Sequence, residues 1–298
     1  MRRLVSCLLF VVGIFLISSC ERRDISEEPY STINIKVNWQ KEKIKTDFFY
    51  VIAYPKDSTK QIIRDFIPTY GGTIQVPTGE YDILIFSYDY ESIIVNTSNS
   101  LYKSYSTTNA KKKNDYKDFA LMDYPIFGQP DDLFYVGKYE NISATKEKTT
   151  YIAEINPINT IKKYTIKIKA YNTSSLSSGY AIVSGFAGRY LMGRQKIDNL
   201  AVGVFSDIEF NEKWITLSFN TWGQYENATH DINFSFTLTN GEVQTEVFNI
   251  DNKIRGLPNG GEITLDGQSV VFKEVGSSGG IGGEVVGWDD EENVNIDL

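Results

Sequence analysis

The sequence predicts an all-β protein built as two β-sandwiches in tandem, and three observations predict it. Short segments alternate apolar and polar residues with a period of two. Turn-forming residues separate those segments at short intervals. Beyond the first thirty residues, no stretch carries a sustained apolar stripe at helical spacing, and the remaining pattern suits a sandwich.

The first alternating segment is Ile33, Ile35, Val37 and Trp39 against Asn34, Lys36 and Asn38, which puts one face in a core and the other in water. Phe48 to Tyr54 is a more continuously apolar strand, ended by the turn residues Pro55-Lys56-Asp57. Ile74 to Val76, the turn Pro77-Thr78-Gly79 and Tyr81 to Phe86 read as a hairpin into a buried strand. Residues 96 to 118 are rich in Asn, Ser, Thr, Tyr and Lys and read as a long surface excursion. Order returns at Tyr124-Pro125-Ile126-Phe127-Gly128, with strands near Leu133 to Val136 and Thr149 to Ile155.

The boundary between the two sandwiches is placed near Asn156-Pro157, giving an N-terminal unit over 31–156 and a C-terminal unit over 157–298. Tyr164, Ile166, Ile168 and Ala170 open the second unit as its clearest strand. The stretch from Leu176 to Met192, mixing Gly, Ala and aromatics, is read as a short helix. Ile232, Phe234, Phe236 and Leu238 alternate again and run into Asn240-Gly241, a two-residue hairpin signal. After the Gly/Ser-rich run 276–283 come an acidic cluster at Asp289 to Glu292 and the segment Val294, Asn295, Ile296, Asp297, Leu298. That strand-like end either closes a sheet edge of its own chain or pairs with another subunit.

The N-terminus has the layout of an export signal over residues 1–19. Arg2 and Arg3 are followed by apolar residues from Leu4 to Ile17 and by the small residues Ser18 and Ser19. The apolar stretch falls short of the roughly 18 residues of a spanning helix. Ile17-Ser18-Ser19-Cys20 resembles the lipobox of bacterial lipoproteins. The resemblance implies cleavage before Cys20, a diacylglycerol on its thiol and an acylated amine, with residues 20–30 as a lipidated tether. Two or more acyl chains make stable attachment to an outer-membrane bilayer.

Composition narrows the chemistry. The 298 residues carry 30 Lys+Arg against 38 Asp+Glu, a net charge of −8 that moves to about −10 once Arg2 and Arg3 leave with the signal. Such a surface argues against a nucleic-acid partner. Cys7 is lost with the signal and Cys20 is committed to lipid, so the mature body has no disulfide and no thiol chemistry. The single histidine, His230, reads as a solvated residue at a strand edge. With one His and no free Cys, no ordinary zinc site can be built. The acids Asp131-Asp132 and Asp289 to Glu292 are sequence neighbours, which rarely span a cleft as the two carboxyl groups of a glycosidase must. The chain is therefore read as non-enzymatic, with no cofactor and no metal. Asp57-Ser58-Thr59 resembles a bacterial O-glycosylation acceptor, which would place a glycan on Ser58. Tyr88, Tyr90, Tyr102, Tyr105 and Tyr116 read as Tyr-rich sandwich surface, with stacking on a sugar as the alternative.

Taken in order, the lipobox, the strand Ile33 to Trp39, the strand Tyr81 to Phe86, Tyr124 to Gly128 and Val286-Gly287-Trp288-Asp289 resemble the fimbrillin-associated lipoproteins of Bacteroides-type bacteria. That family implies two transthyretin-like Greek-key sandwiches and a non-enzymatic role anchoring, capping or forming a minor subunit of a fimbria. It also implies an outer-membrane location at the cell surface and other fimbrial subunits as partners, joined by strand insertion. Surface-exposed members carry an acidic cluster after the cysteine; here Glu21 is followed by Arg22 and Arg23. The second reading is a surface glycan-binding lipoprotein.

Overall fold

The computed structural model describes residues 29–39, 46–112, 116, 124–145 and 150–275. The chain is all-β. Two sheets enclose the core of the first half. One orders β10 (Thr150–Ile155), β1 (Tyr30–Val37) and β4 (Gly71–Pro77), with β1 parallel to β10 and antiparallel to β4. The other orders β11 (Ile158–Asn159), β9 (Tyr135–Ala144), β5 (Gly79–Ser87), β2 (Phe48–Pro55) and β3 (Ile63–Pro68), all antiparallel. Ile33, Ile35 and Val37 from β1 meet Phe49, Val51 and Ala53 from β2 and Ile83 and Ile85 from β5 in one buried cluster. The period-two alternation of β1 thus has its expected cause: every second side chain leaves water for that core.

The second half winds around its own core. Its strands are β12 (Lys162–Tyr171), β13 (Leu176–Ala187), β16 (Ala201–Phe210), β17 (Trp214–Thr221), β18 (Asp231–Leu238), β19 (Val243–Asn249) and β20 (Gly261–Val271). They run in the order β19-β18-β13-β16-β17-β12-β20, with β16 pairing first with β13 and then, at Ile208 to Phe210, with β17. Tyr164, Ile166 and Ile168 of β12 face Ala181 and Val183 of β13 and Phe234 and Phe236 of β18 across this core.

A smaller sheet ties sequence-distant segments together. It orders β15 (Lys196–Ile197), β14 (Arg189–Leu191), β7 (Tyr105–Thr108) and β6 (Ile93–Asn96). The two-residue strand β8 (Ile126–Phe127) pairs in parallel with Gly203 and Val204 of β16. Beneath them a third cluster joins Ile52, Leu84, Phe86 and Phe134 to Ala187, Tyr190, Met192 and Trp222.

Several sequence expectations are corrected. The stretch from Leu176 to Met192 is not helical: it is β13 and β14, with a single 3-10 turn over Met192–Arg194. Residues 181 to 187 of β13 are all buried, so no polar face marks the strand, and its backbone is claimed by neighbours on both edges. Ile74 to Val76 and Tyr81 to Phe86 do not form a hairpin. β4 pairs with β1 and β5 pairs with β2 and β9, so the Pro77-Thr78-Gly79 turn carries the chain from one sheet to the other. The polar stretch 96–118 is not wholly a surface excursion, since β7 lies in it and Ser104, Ser106 and Thr108 are buried. Asn240-Gly241 does close the β18–β19 hairpin. The loop has three residues rather than the expected two, with Gly241 at φ 85° and the Leu238 amide donating to the Glu242 carbonyl at 2.8 Å.

Candidate functional site

Three of the expected site elements lie outside the described residues: the lipidation residue Cys20, the acidic cluster Asp289 to Glu292, and the segment Val294, Asn295, Ile296, Asp297, Leu298. The remaining candidates can be placed. Ser58 is exposed in the turn after β2, where Asp57 organises the backbone. The Thr59 amide and hydroxyl both donate to Asp57 Oδ1, at 2.9 and 2.7 Å, and those bonds hold the carboxyl below its ordinary range.

His230 is the clearest correction among them. It is not a solvated edge residue but 0% exposed, with its ring edge-on to Phe186 at 5.4 Å. Nδ1 lies 2.8 Å from Asp251 Oδ1, and the same carboxylate accepts from the His230 amide. Asp251 opens the short helix α1 (Asp251–Ile254), and its other oxygen accepts from Arg255 Nε at 2.9 Å. Arg255, and after it His230, hold the Asp251 carboxyl at about 2. This cluster closes one end of the second core.

Asp131 and Asp132 also have structural work. Asp131 Oδ2 accepts from the amides of Glu91 and Ser92, and Asp132 Oδ1 accepts from Asn220 Nδ2 at 2.9 Å. They tie one loop to β6 and to β17. Among the described residues, no group of three or more His, Cys, Asp or Glu side chains could hold a metal ion.

The tyrosines fall into separate places. Tyr88 and Phe66, each about half exposed, pack edge-on at 4.9 Å, with Tyr50 against Phe66 at the same distance and Tyr90 leading inward to Phe134. Tyr105 lies under the Arg189 guanidinium, and Tyr116 packs against Tyr180 and Phe205. Tyr102 donates its hydroxyl to Glu140, which Lys138 also binds at 3.0 Å.

Tyr102 also borders a feature that sequence reasoning missed. A cleft of about 720 Å³ opens between the β2–β3 hairpin and the 3-10 turn Leu101–Lys103, lined in part by Tyr54, Lys56, Lys60, Arg64, Asp82 and Tyr102. Lys56, Lys60 and Arg64 recur at intervals of four in the sequence, which was the available signal. The fold-back of residues 99–102 onto β5, which makes the cleft, had no signal. Asp82, its one acid among these residues, is buried and engaged: Oδ2 accepts from Lys56 Nζ at 2.7 Å and Oδ1 from the Asn141 amide at 2.9 Å. Lys60 Nζ donates to the Thr78 carbonyl. Arg64, which faces Ile52 across the β2–β3 pair, has no ion pair or hydrogen bond among the described residues. Burial pushes the Tyr54 hydroxyl above its ordinary value, and it shares a 2.8 Å bond with Ser104.

In the second half, β19 is an edge strand of its sheet, with Val243 and Val247 more than half exposed. An edge of that kind presents backbone donors and acceptors that another strand can pair with. These features define an all-β protein of packed sheets with an exposed strand edge. The chain belongs to the family described as a domain of unknown function, DUF5119, whose model matches residues 19–207. Over 97% of its length, and 97% of the relative's, it is 22% identical to a Bacteroides ovatus protein named "Putative fimbrium anchoring subunit Fim4B". The fold matches a crystal structure from Bacteroides ovatus ATCC 8483 described as a putative adhesin, with a TM-score of 0.70 and 18% identity. That match covers 87% of this chain and 98% of the other. It also matches the fimbrial anchor protein Mfa2 from Porphyromonas gingivalis, with a TM-score of 0.51 at 11% identity over 79% and 90% of the two chains. The resemblance noted in the sequence therefore holds for both a sequence relative and the fold.

Proposed function

We propose that this chain is a non-enzymatic outer-membrane lipoprotein that anchors, caps or forms a minor subunit of a fimbria-like assembly at the cell surface. The observation that carries the reading is the end-to-end match, 97% of each chain, to a relative named for fimbrium anchoring. In this reading Cys20 carries the acyl chains and the tether 20–30 spaces the body from the bilayer. Tandem transthyretin-like Greek-key units divided near Asn156-Pro157 form the body, and Val294 to Leu298 serves in strand closure or exchange with another fimbrial subunit. The exposed edge of β19 supports the reading, because assembly by strand addition needs such an edge.

The test is purification of the native lipidated protein from outer-membrane extract, with identification of what accompanies it by mass spectrometry. Secreted β-rich subunits in near-stoichiometric amounts are expected. Deleting residues 294–298 should abolish their recovery, and Cys20→Ala should move the protein out of the membrane fraction. Recovery of the wild-type protein with no such subunit would sink the reading.

A further inference from the structure

We propose that the cleft between the β2–β3 hairpin and the turn at Leu101–Lys103 is a binding site for an anionic carbohydrate, with Arg64 as the residue that grips its acid group. This role goes beyond anchoring and does not depend on it.

Charge points to the sign of the ligand. The chain as a whole is acidic, at −8, yet Lys56, Lys60 and Arg64 converge on this cleft against the single acid Asp82. Asp82 is already held by Lys56 and by a backbone amide, so it does not cancel Arg64. A recess lined by one sign of charge concentrates counter-charged ligands. The Arg64 guanidinium, without an ion pair among the described residues, offers the planar fork that matches a carboxylate or sulfate in two parallel bonds.

Shape and lining point to a sugar. The volume of about 720 Å³ falls within the range of about 300–1,000 Å³ usual for small-ligand clefts. Its walls include the buried Tyr54 and the exposed Tyr102, whose ring combines an apolar face with a polar tip, as a sugar ring does. On β3 the side chain two residues beyond Arg64 is Phe66, which joins Tyr50 and Tyr88 in a half-exposed aromatic cluster. Residues two apart on a strand share a face. The cationic recess and the aromatic cluster therefore succeed one another along one sheet face, an arrangement that suits an extended ligand with acid groups and ring faces.

The test is calorimetric titration of the full chain in detergent with three tetrasaccharides. They are tetragalacturonate, a sulfated carrageenan tetrasaccharide, and tetragalacturonate with every carboxyl methyl-esterified. Saturable binding of at least one anionic sugar is expected, with the ester at least tenfold weaker and affinity falling as salt rises. Whichever acid binds more tightly, uronate or sulfate, identifies the ligand's charge. Arg64→Gln should weaken that binding at least tenfold and Lys60→Gln several-fold, each with an unchanged thermal midpoint. Binding of the ester as tight as the acid overturns the proposal, as does the absence of saturable binding by either anionic sugar. Unchanged affinity in Arg64→Gln overturns it as well. Equal binding of a tetraglutamate peptide would overturn the assignment to carbohydrate.

Discussion

The imidazole Nδ1 of His230 sits 2.8 Å from Oδ1 of Asp251, in a place where the imidazole is wholly shielded from water and the carboxylate only partly so. Asp251 links three elements: it receives the ring and amide of His230 at the start of β18, starts α1, and binds Arg255 one turn later. Its carboxyl is held at about 2, chiefly by Arg255 and then by His230. An unfolded chain binds that proton more tightly than the folded one. The stabilisation is therefore complete above about pH 4 and is lost as pH falls towards about 2. Asp251 is 24% exposed, so solvent screening keeps the effect to about 1 kcal/mol. Urea unfolding from pH 5 to pH 2 should show Asp251→Asn with a flatter acid limb than the parent. Parallel curves for the two proteins would refute the assignment.

Phe134 is expected to be a costly residue to truncate. It is 0% exposed, and its ring meets Phe86, Tyr90 and Trp222, the last of these contributed by the second half of the chain. Phe134→Ala should destabilise by about 3–5 kcal/mol, from lost burial together with the cavity left behind. Denaturant unfolding followed by tryptophan fluorescence reads it, and a loss under 1 kcal/mol would mean that this cluster repacks freely.

Two glycines separate backbone strain from collision. Gly71 has φ 110°, and a side chain there would run into the carbonyl oxygen of Ile35 across the β1–β4 pair. Gly241 has φ 85° but open space around it. Gly241→Ala should cost about 1 kcal/mol, the price of a left-handed conformation alone. Gly71→Ala should cost about 2–3 kcal/mol or more, because strain and collision add. Equal thermal midpoints for the two variants would contradict this ordering.

What was readable in the sequence follows from where water lies. β1, β12 and β18 each have one face in a core, so alternation revealed them. β13 is covered on both faces over residues 181–187, and its pattern lost the period that identifies a strand. β7 was hidden for the opposite reason. Its Thr108 is buried with its hydroxyl bonded to the Gly128 carbonyl, and the adjacent Ser104 bonds Tyr54. A buried polar group that finds a partner looks, in sequence, like a solvated one. His230 misled in the same way. The turn at Pro77-Thr78-Gly79 was legible as a turn, but its residues do not say whether the next strand joins the same sheet. The cleft depends on the fold-back of residues 99–102, a tertiary relationship with no local signature, although the spacing of Lys56, Lys60 and Arg64 was visible.

The weaving of β7 onto β14 and of β8 onto β16 has a consequence for how the protein is made. The Thr107 hydroxyl bonds the Gly188 carbonyl 81 positions later, and Ile126 pairs with Gly203. Synthesis delivers the N-terminal end first. β7 can pair with β6 as soon as both are made, but the edges that β7 and β8 offer to β14 and β16 stay unclaimed until those later strands follow. Contacts this distant in sequence form slowly. The interval before residue 204 emerges is thus when the chain is most open to mispairing, and when a holding chaperone would have most to protect.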